Sequence, residues 1–184
     1  MEQNVDFDLI EAIMKKEGHT RGLAQRLGTN HMTVSRRLAR LVSENVLDVN
    51  IVGRNKVYSL KLTTEARNWV IMTEASKLNR VMARYPELRR VITLIRKDPR
   101  VSLAILFGSH AKGTARKDSD IDVFVETRDK ALRSDLERMD SRLSIKIGDY
   151  DRSNPLILEM ERAHVIIKGV EMFYERNGLF KEAA

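Results

Sequence analysis

The stretch that decides the fold is Val101-Ser102-Leu103-Ala104-Ile105-Leu106-Phe107-Gly108-Ser109. It is followed, after the ten residues 110–119, by Asp120-Ile121-Asp122-Val123-Phe124-Val125-Glu126. An apolar run broken only by Ser102 predicts a strand buried on both faces, and Gly108-Ser109 ends it. The second run predicts another strand. Side chains alternate along a strand, so Asp120 and Asp122 share one face while Ile121 and Val123 turn to the core. Two carboxylates two residues apart on a strand can bind a hard divalent cation, and magnesium supplies what an in-line phosphoryl transfer needs. Asp-x-Asp alone is common on surface turns, and Gly-Ser alone means nothing. Their order and spacing behind a buried strand carry the signal.

Leu106-Phe107-Gly108-Ser109-His110-Ala111-Lys112-Gly113 with Asp118-Ser119-Asp120-Ile121-Asp122 resembles the minimal nucleotidyltransferases of the polymerase-β superfamily. Their signature is a strand, Gly-Ser, a short spacer and Asp-hydrophobic-Asp. The resemblance covers residues 85–176, reaching Pro155-Leu156 and a closing amphipathic helix. It implies a small mixed-sheet fold. In that family Gly108 would let the backbone approach a triphosphate, Ser109 and the helix start after it would hold phosphate oxygens, and Lys112 would contact nucleotide. Asp120 and Asp122 would be the catalytic metal ligands, with Mg2+ as cofactor. A small helical toxin-like protein is the partner such domains often have.

One departure stands against this match. Active members add a third carboxylate from a later strand, here predicted over residues 143–148, between two apolar residues. That slot, between Ile145 and Ile147, holds Lys146. A cation there would compete with magnesium and could pair with Asp120 or Asp122 instead. Asp149 and Asp151 follow closely, and a one-residue slip of the strand would exchange its faces and bring Asp149 round.

The first third of the chain reads differently. Phe7, Ile10, Ile13 and Met14 recur at helical spacing up to Gly18. Thr20 is placed to cap a short helix holding Leu23, Ala24 and Leu27, and Asn30 to cap a third built on Val34, Leu38, Leu41 and Val42. Residues 46–52 and 57–60 are β-rich runs on either side of Gly53-Arg54-Asn55-Lys56, which predicts a hairpin with a basic tip. Thr33-Val34-Ser35-Arg36-Arg37-Leu38 and Gly53-Arg54-Asn55-Lys56-Val57-Tyr58 resemble the recognition helix and wing of the winged helix-turn-helix family over residues 5–61. With Val34, Leu38 and Leu41 turned inward, His31, Thr33, Arg36, Arg37 and Arg40 line the outward face. There they are expected to meet double-stranded DNA, with Arg54 and Lys56 reaching phosphate or minor groove. Winged helices also serve as protein-docking modules.

The expected architecture is therefore α+β. Residues 1–62 form a winged helix of three helices and a hairpin, 63–84 a linking helix, and 85–184 the nucleotidyltransferase-like domain. The linking helix carries Ala66, Val70, Leu78, Val81 and Met82 near one stripe. Pairing with a second copy would suit a palindromic DNA site, and packing within its own chain is the equal alternative. His110 reads as a surface residue of the short helix after Gly-Ser or, alternatively, as a neighbour of a phosphate, Trp69 and Tyr174 as core or interface, and Met160 and Met172 as core gap-fillers.

Composition agrees with a globular chain: 42% hydrophobic and 32% charged residues. The absence of cysteine excludes disulfides, thiolate zinc sites and cysteine nucleophiles. The four histidines lack metal-ligand spacing. No signal peptide or membrane span is read, so a cytoplasmic setting is expected. Charge is uneven. Residues 1–62 carry 10 Lys or Arg against 7 Asp or Glu, residues 63–100 carry 9 against 4, and residues 101–184 carry 14 against 15. The basic first half suits a polyanion, although most charge excess is solvated surface.

Two functions follow. One is a DNA-binding protein that transfers a nucleoside monophosphate from a nucleoside triphosphate to a protein or nucleic-acid hydroxyl. The other is a transcription regulator whose nucleotidyltransferase-like domain no longer catalyses and serves in nucleotide sensing or dimerisation. A weaker third is an enzyme acting on RNA or DNA ends, with the first domain as a substrate clamp.

Overall fold

The computed structural model describes residues 5–15 and 18–180. The chain packs as two units, Met1–Thr73 with Tyr174–Ala184, and Glu74–Phe173.

The first unit begins with α1 (Val5–Met14), which buries Leu9, Ile10, Ala12 and Ile13. Next come α2 (Thr20–Arg26) and α3 (His31–Ser43). Thr20 does not cap α2. It is the first helical residue, and His19 takes the cap position without a side-chain hydrogen bond. Asn30 does cap α3: its side-chain oxygen accepts from the Met32 N–H at 2.7 Å, satisfying one orphan donor of the first turn. Val34, Leu38 and Leu41 are fully buried. The hairpin is β1 (Leu47–Val52) paired antiparallel with β2 (Asn55–Leu60), turning at Gly53 with a φ of 61°.

A third extended piece joins this hairpin. His19 bridges Val57, and the Tyr58 N–H donates to the Gly18 carbonyl at 3.0 Å. Gly18 is thus more than a helix stop, because a Cβ there would collide with the Tyr58 carbonyl. The helix α4 (Thr64–Arg84) occupies the positions expected of the linking helix, with the Thr63 hydroxyl accepting from the Ala66 N–H at 3.2 Å. Trp69 lies against Phe7, with ring centroids 5.8 Å apart.

The second unit is built on a four-stranded mixed sheet. Its elements are α5 (Leu88–Lys97), β3 (Leu103–Leu106), α6 (Gly108–Lys112), β4 (Ile121–Glu126), α7 (Ala131–Glu137), β5 (Leu143–Ile147), α8 (Pro155–Arg162), β6 (Val165–Lys168) and α9 (Val170–Arg176). The strand order is β5-β4-β3-β6. β3 runs antiparallel to both neighbours, while β4 and β5 are parallel, their return run made by α7. Every residue of β3 is buried, as an apolar run on a central strand requires.

One face of the sheet presents Leu106, Ile121, Val123, Val125, Leu143 and Ile145 to a core shared with Leu88, Ile92 and Ile95 of α5 and Leu132 and Leu136 of α7. On the opposite face Phe124 meets Tyr150, and Tyr150 meets Phe173, with ring centroids 6.4 and 5.4 Å apart. Asp122 shares that second face two residues nearer the start of β4. β5 is an edge strand, and its outward Ile145 N–H donates to the Glu137 carboxylate at 3.2 Å.

Among the described residues no helix is long and apolar enough to cross a membrane.

Candidate functional site

The end of β3 and the start of β4 lie side by side because the two strands are antiparallel. The Phe107 N–H donates to the Asp122 carbonyl at 3.0 Å. Immediately after it the chain must turn into α6, and Gly108 does so with a φ of 66°. Its missing side chain matters as much as its φ. A Cβ on Gly108 would run into a carboxylate oxygen of Asp122, so the Asp122 side chain lies directly over the Gly108 backbone. Ser109 is half-buried at the opening of α6, its carbonyl accepting from the Thr114 N–H at 2.9 Å. Lys112 is exposed at the far end, where Gly113 in the left-handed region stops the helix.

Asp120 is exposed and Asp122 half-buried. Burial pushes the Asp122 carboxyl above its ordinary range, and repulsion from Asp120 adds to this. A hydrogen bond from Ser144, with Lys146 and His110 nearby, works the other way.

His110 is not a surface residue. It is 1% exposed, packed edge-on against Tyr85 with centroids 4.9 Å apart, and its Nδ1 lies 3.1 Å from the Asp120 carbonyl. It therefore anchors the backbone that presents the first carboxylate. Nothing in the local pattern marks this, because its pocket is closed by Tyr85, just past the end of α4.

The β4–β5 register places Ser144 beside Asp122 and Lys146 beside Phe124. The pairing runs without a shift from Ile121–Leu143 to Val125–Ile147, so no slip within β5 brings Asp149 to this face. Lys146 is exposed there. A hard divalent cation takes oxygen ligands, and two adjacent carboxylates that repel one another fit such an ion. Among the described residues no group of three His, Cys, Asp or Glu side chains is gathered to hold one. The donor set fits a cation whose remaining ligands come from phosphate and water.

The residues expected to meet DNA fall on two surfaces. His31, Arg54 and Lys56 line one cleft together with Arg21, Ser35 and Asn55. Thr33, Arg36, Arg37 and Arg40 line a second. Arg37 and Arg40 both donate to Asp6 Oδ2, at 3.0 and 2.7 Å, and that carboxylate is 6% exposed. Sequence reasoning missed this pairing and the place of Arg21. Asp6 sits on the helical stripe of α1, where an acid reads as solvated until α3 is packed against it.

Residues 89–177 match the family model described as "Polymerase beta, Nucleotidyltransferase", a span holding α6, β4 and β5 and leaving the first three helices and the hairpin outside. No curated protein sequence matches the chain. Among solved structures, a chain described as "Crystal structure of the toxin-antitoxin with AMP-PNP" is 21% identical with a TM-score of 0.30, covering 56% of this chain and 88% of its own.

Proposed function

We propose that this chain is a DNA-binding protein whose second unit is a nucleotidyltransferase. It would bind a nucleoside triphosphate with magnesium and pass the nucleoside monophosphate to a hydroxyl of a protein or nucleic acid. The observation that carries the reading is the Asp122 carboxylate lying over the bare Gly108 backbone, which joins the carboxylate pair and the Gly-Ser turn into one site. Gly108 and Ser109 receive the phosphates, Lys112 contacts the nucleotide, and Asp120 and Asp122 hold the metal. When bound, magnesium supplies positive charge to the phosphate oxygens. His110 keeps Asp120 in place through the backbone.

Lys146 favours a second reading. It stands on the site face where an active enzyme needs an acid, and it already offsets part of the charge of Asp122. In that reading the chain is a transcription regulator, and bound nucleotide is sensed and not turned over. The first unit, read as a winged helix, meets double-stranded DNA through α3 and the hairpin tip in either case. A homodimer or a small helical toxin-like partner would complete the assembly.

Triphosphates labelled on the α-phosphate separate the two. With magnesium, the first reading expects covalent label on the chain itself or on an added oligonucleotide, lost in Asp122→Ala. The second expects none from the wild type and label only after Lys146→Asp. Failure of the wild type and both variants to retain or transfer any triphosphate would sink both.

A further inference from the structure

The outermost line of α3 is not where its arginines are densest. Val34, Leu38 and Leu41 mark the inward side, and at 3.6 residues per turn the opposite line passes through Met32, Arg36 and Ala39. Arg37 lies well to one side, facing α1, and Arg40 is drawn the same way. Asp6 holds both through short charge-assisted bonds to one nearly buried oxygen. A carboxylate taken out of water needs such partners, so drawing these guanidiniums toward another anion would cost it two charge-assisted bonds. Arg40 is shared further with Glu44 at 3.3 Å. The bonds to Asp6 tie α3 to α1.

Among the described residues, no bond of this kind turns Met32 or Arg36 inward. Met32 is 65% exposed, and Arg36 is exposed one helical turn later on the same line. A single exposed methionine is ordinary by itself. Its place beside an outward arginine, on the line farthest from the core of a capped amphipathic helix, is what gives it meaning.

Resting on the DNA-binding reading above, we propose that Met32 and Arg36 are the base-reading pair of α3, and that Arg37 and Arg40 are not readers. Arg36 supplies the bidentate donors that suit guanine O6 and N7, and Met32 supplies an apolar surface that suits the thymine methyl group. Residues four apart on a helix are about 5–6 Å apart at Cβ, so the two bases lie within roughly two steps of a duplex with a rise of about 3.4 Å. The partner is duplex DNA carrying a guanine with a thymine beside it or one pair removed.

The test is selection by the full chain from a random-sequence duplex library, then titration of the selected duplex by fluorescence anisotropy. A core holding guanine and a nearby thymine is expected. Arg36→Ala should weaken binding to it by about fivefold or more and lose the guanine preference. Replacing the thymine with uracil removes only the methyl group. The wild type should bind the uracil duplex more weakly, and Met32→Ala should not tell the two apart. Arg37→Lys, which leaves a cation for Asp6, should keep the selected sequence unchanged. A selected core indifferent to Arg36→Ala and Met32→Ala, or one altered by Arg37→Lys, overturns the assignment. Duplex binding with no sequence preference overturns it too, and leaves the DNA-binding reading standing. No duplex binding overturns both.

Discussion

Asp122, the half-buried carboxylate of the candidate site, is held at some cost to the fold. Its carboxyl is held above the ordinary range by burial and by Asp120, so the native state binds its proton more readily than the unfolded chain does. The stability linked to that proton is complete below the unfolded carboxylate value of about 3.9, and is lost as pH rises through the raised native one. Asp122→Asn cannot ionise and keeps an acceptor for Ser144. Its urea midpoint is expected to lie above that of the wild type near pH 7, the gain shrinking to nothing as pH falls to about 4. A midpoint at or below that of the wild type near pH 7 would contradict this. Much of the candidate site's geometry was legible at this scale. Strand alternation and the spacing from Gly108 to Asp122 are local properties, and the turn needs glycine for its φ. The burial of His110 was not legible, because Tyr85 reaches it from the segment after α4, distant in sequence. The grip of Asp6 on Arg37 and Arg40 was hidden for the same reason.

Elements were legible where their signals are periodic or capped. The runs over 64–84 and 121–126 are continuous patterns, and Asn30 is a cap by chemistry. Boundaries were less so. The apolar run from Val101 predicts a longer strand than the regular ladder holds: Leu103–Leu106 pair with β4 and β6, while Ser102 and Phe107 each add one backbone bond to β4 beyond the ladder's ends. Gly18 reads locally as the end of a helix, yet its reason is tertiary: β2 passes too close for a side chain. Gly18→Ala should therefore act on the hairpin, pushing β2 away and costing about 1–3 kcal/mol. Urea unfolding followed by the fluorescence of the single tryptophan, Trp69, which is packed on Phe7, would register it. An unchanged midpoint would mean that the Gly18–Tyr58 approach is not tight.

Across the whole molecule, a basic first half is followed by a nearly balanced second half. The charge pattern was visible in composition, but it named no partner. The family match covers residues 89–177, nearly all of them in the second unit, so the account rests most heavily there. A ligand that binds the folded chain alone stabilises it by mass action, and binding itself can be read directly as heat. The measurement to make is calorimetric titration of the full chain with each nucleoside triphosphate, with and without magnesium, for the wild type and Asp122→Ala. The account predicts saturable binding that requires magnesium and disappears in the variant, with or without turnover. Binding that ignores magnesium or survives Asp122→Ala, or no binding of any triphosphate, would contradict a metal-nucleotide site at Gly108, Ser109, Asp120 and Asp122.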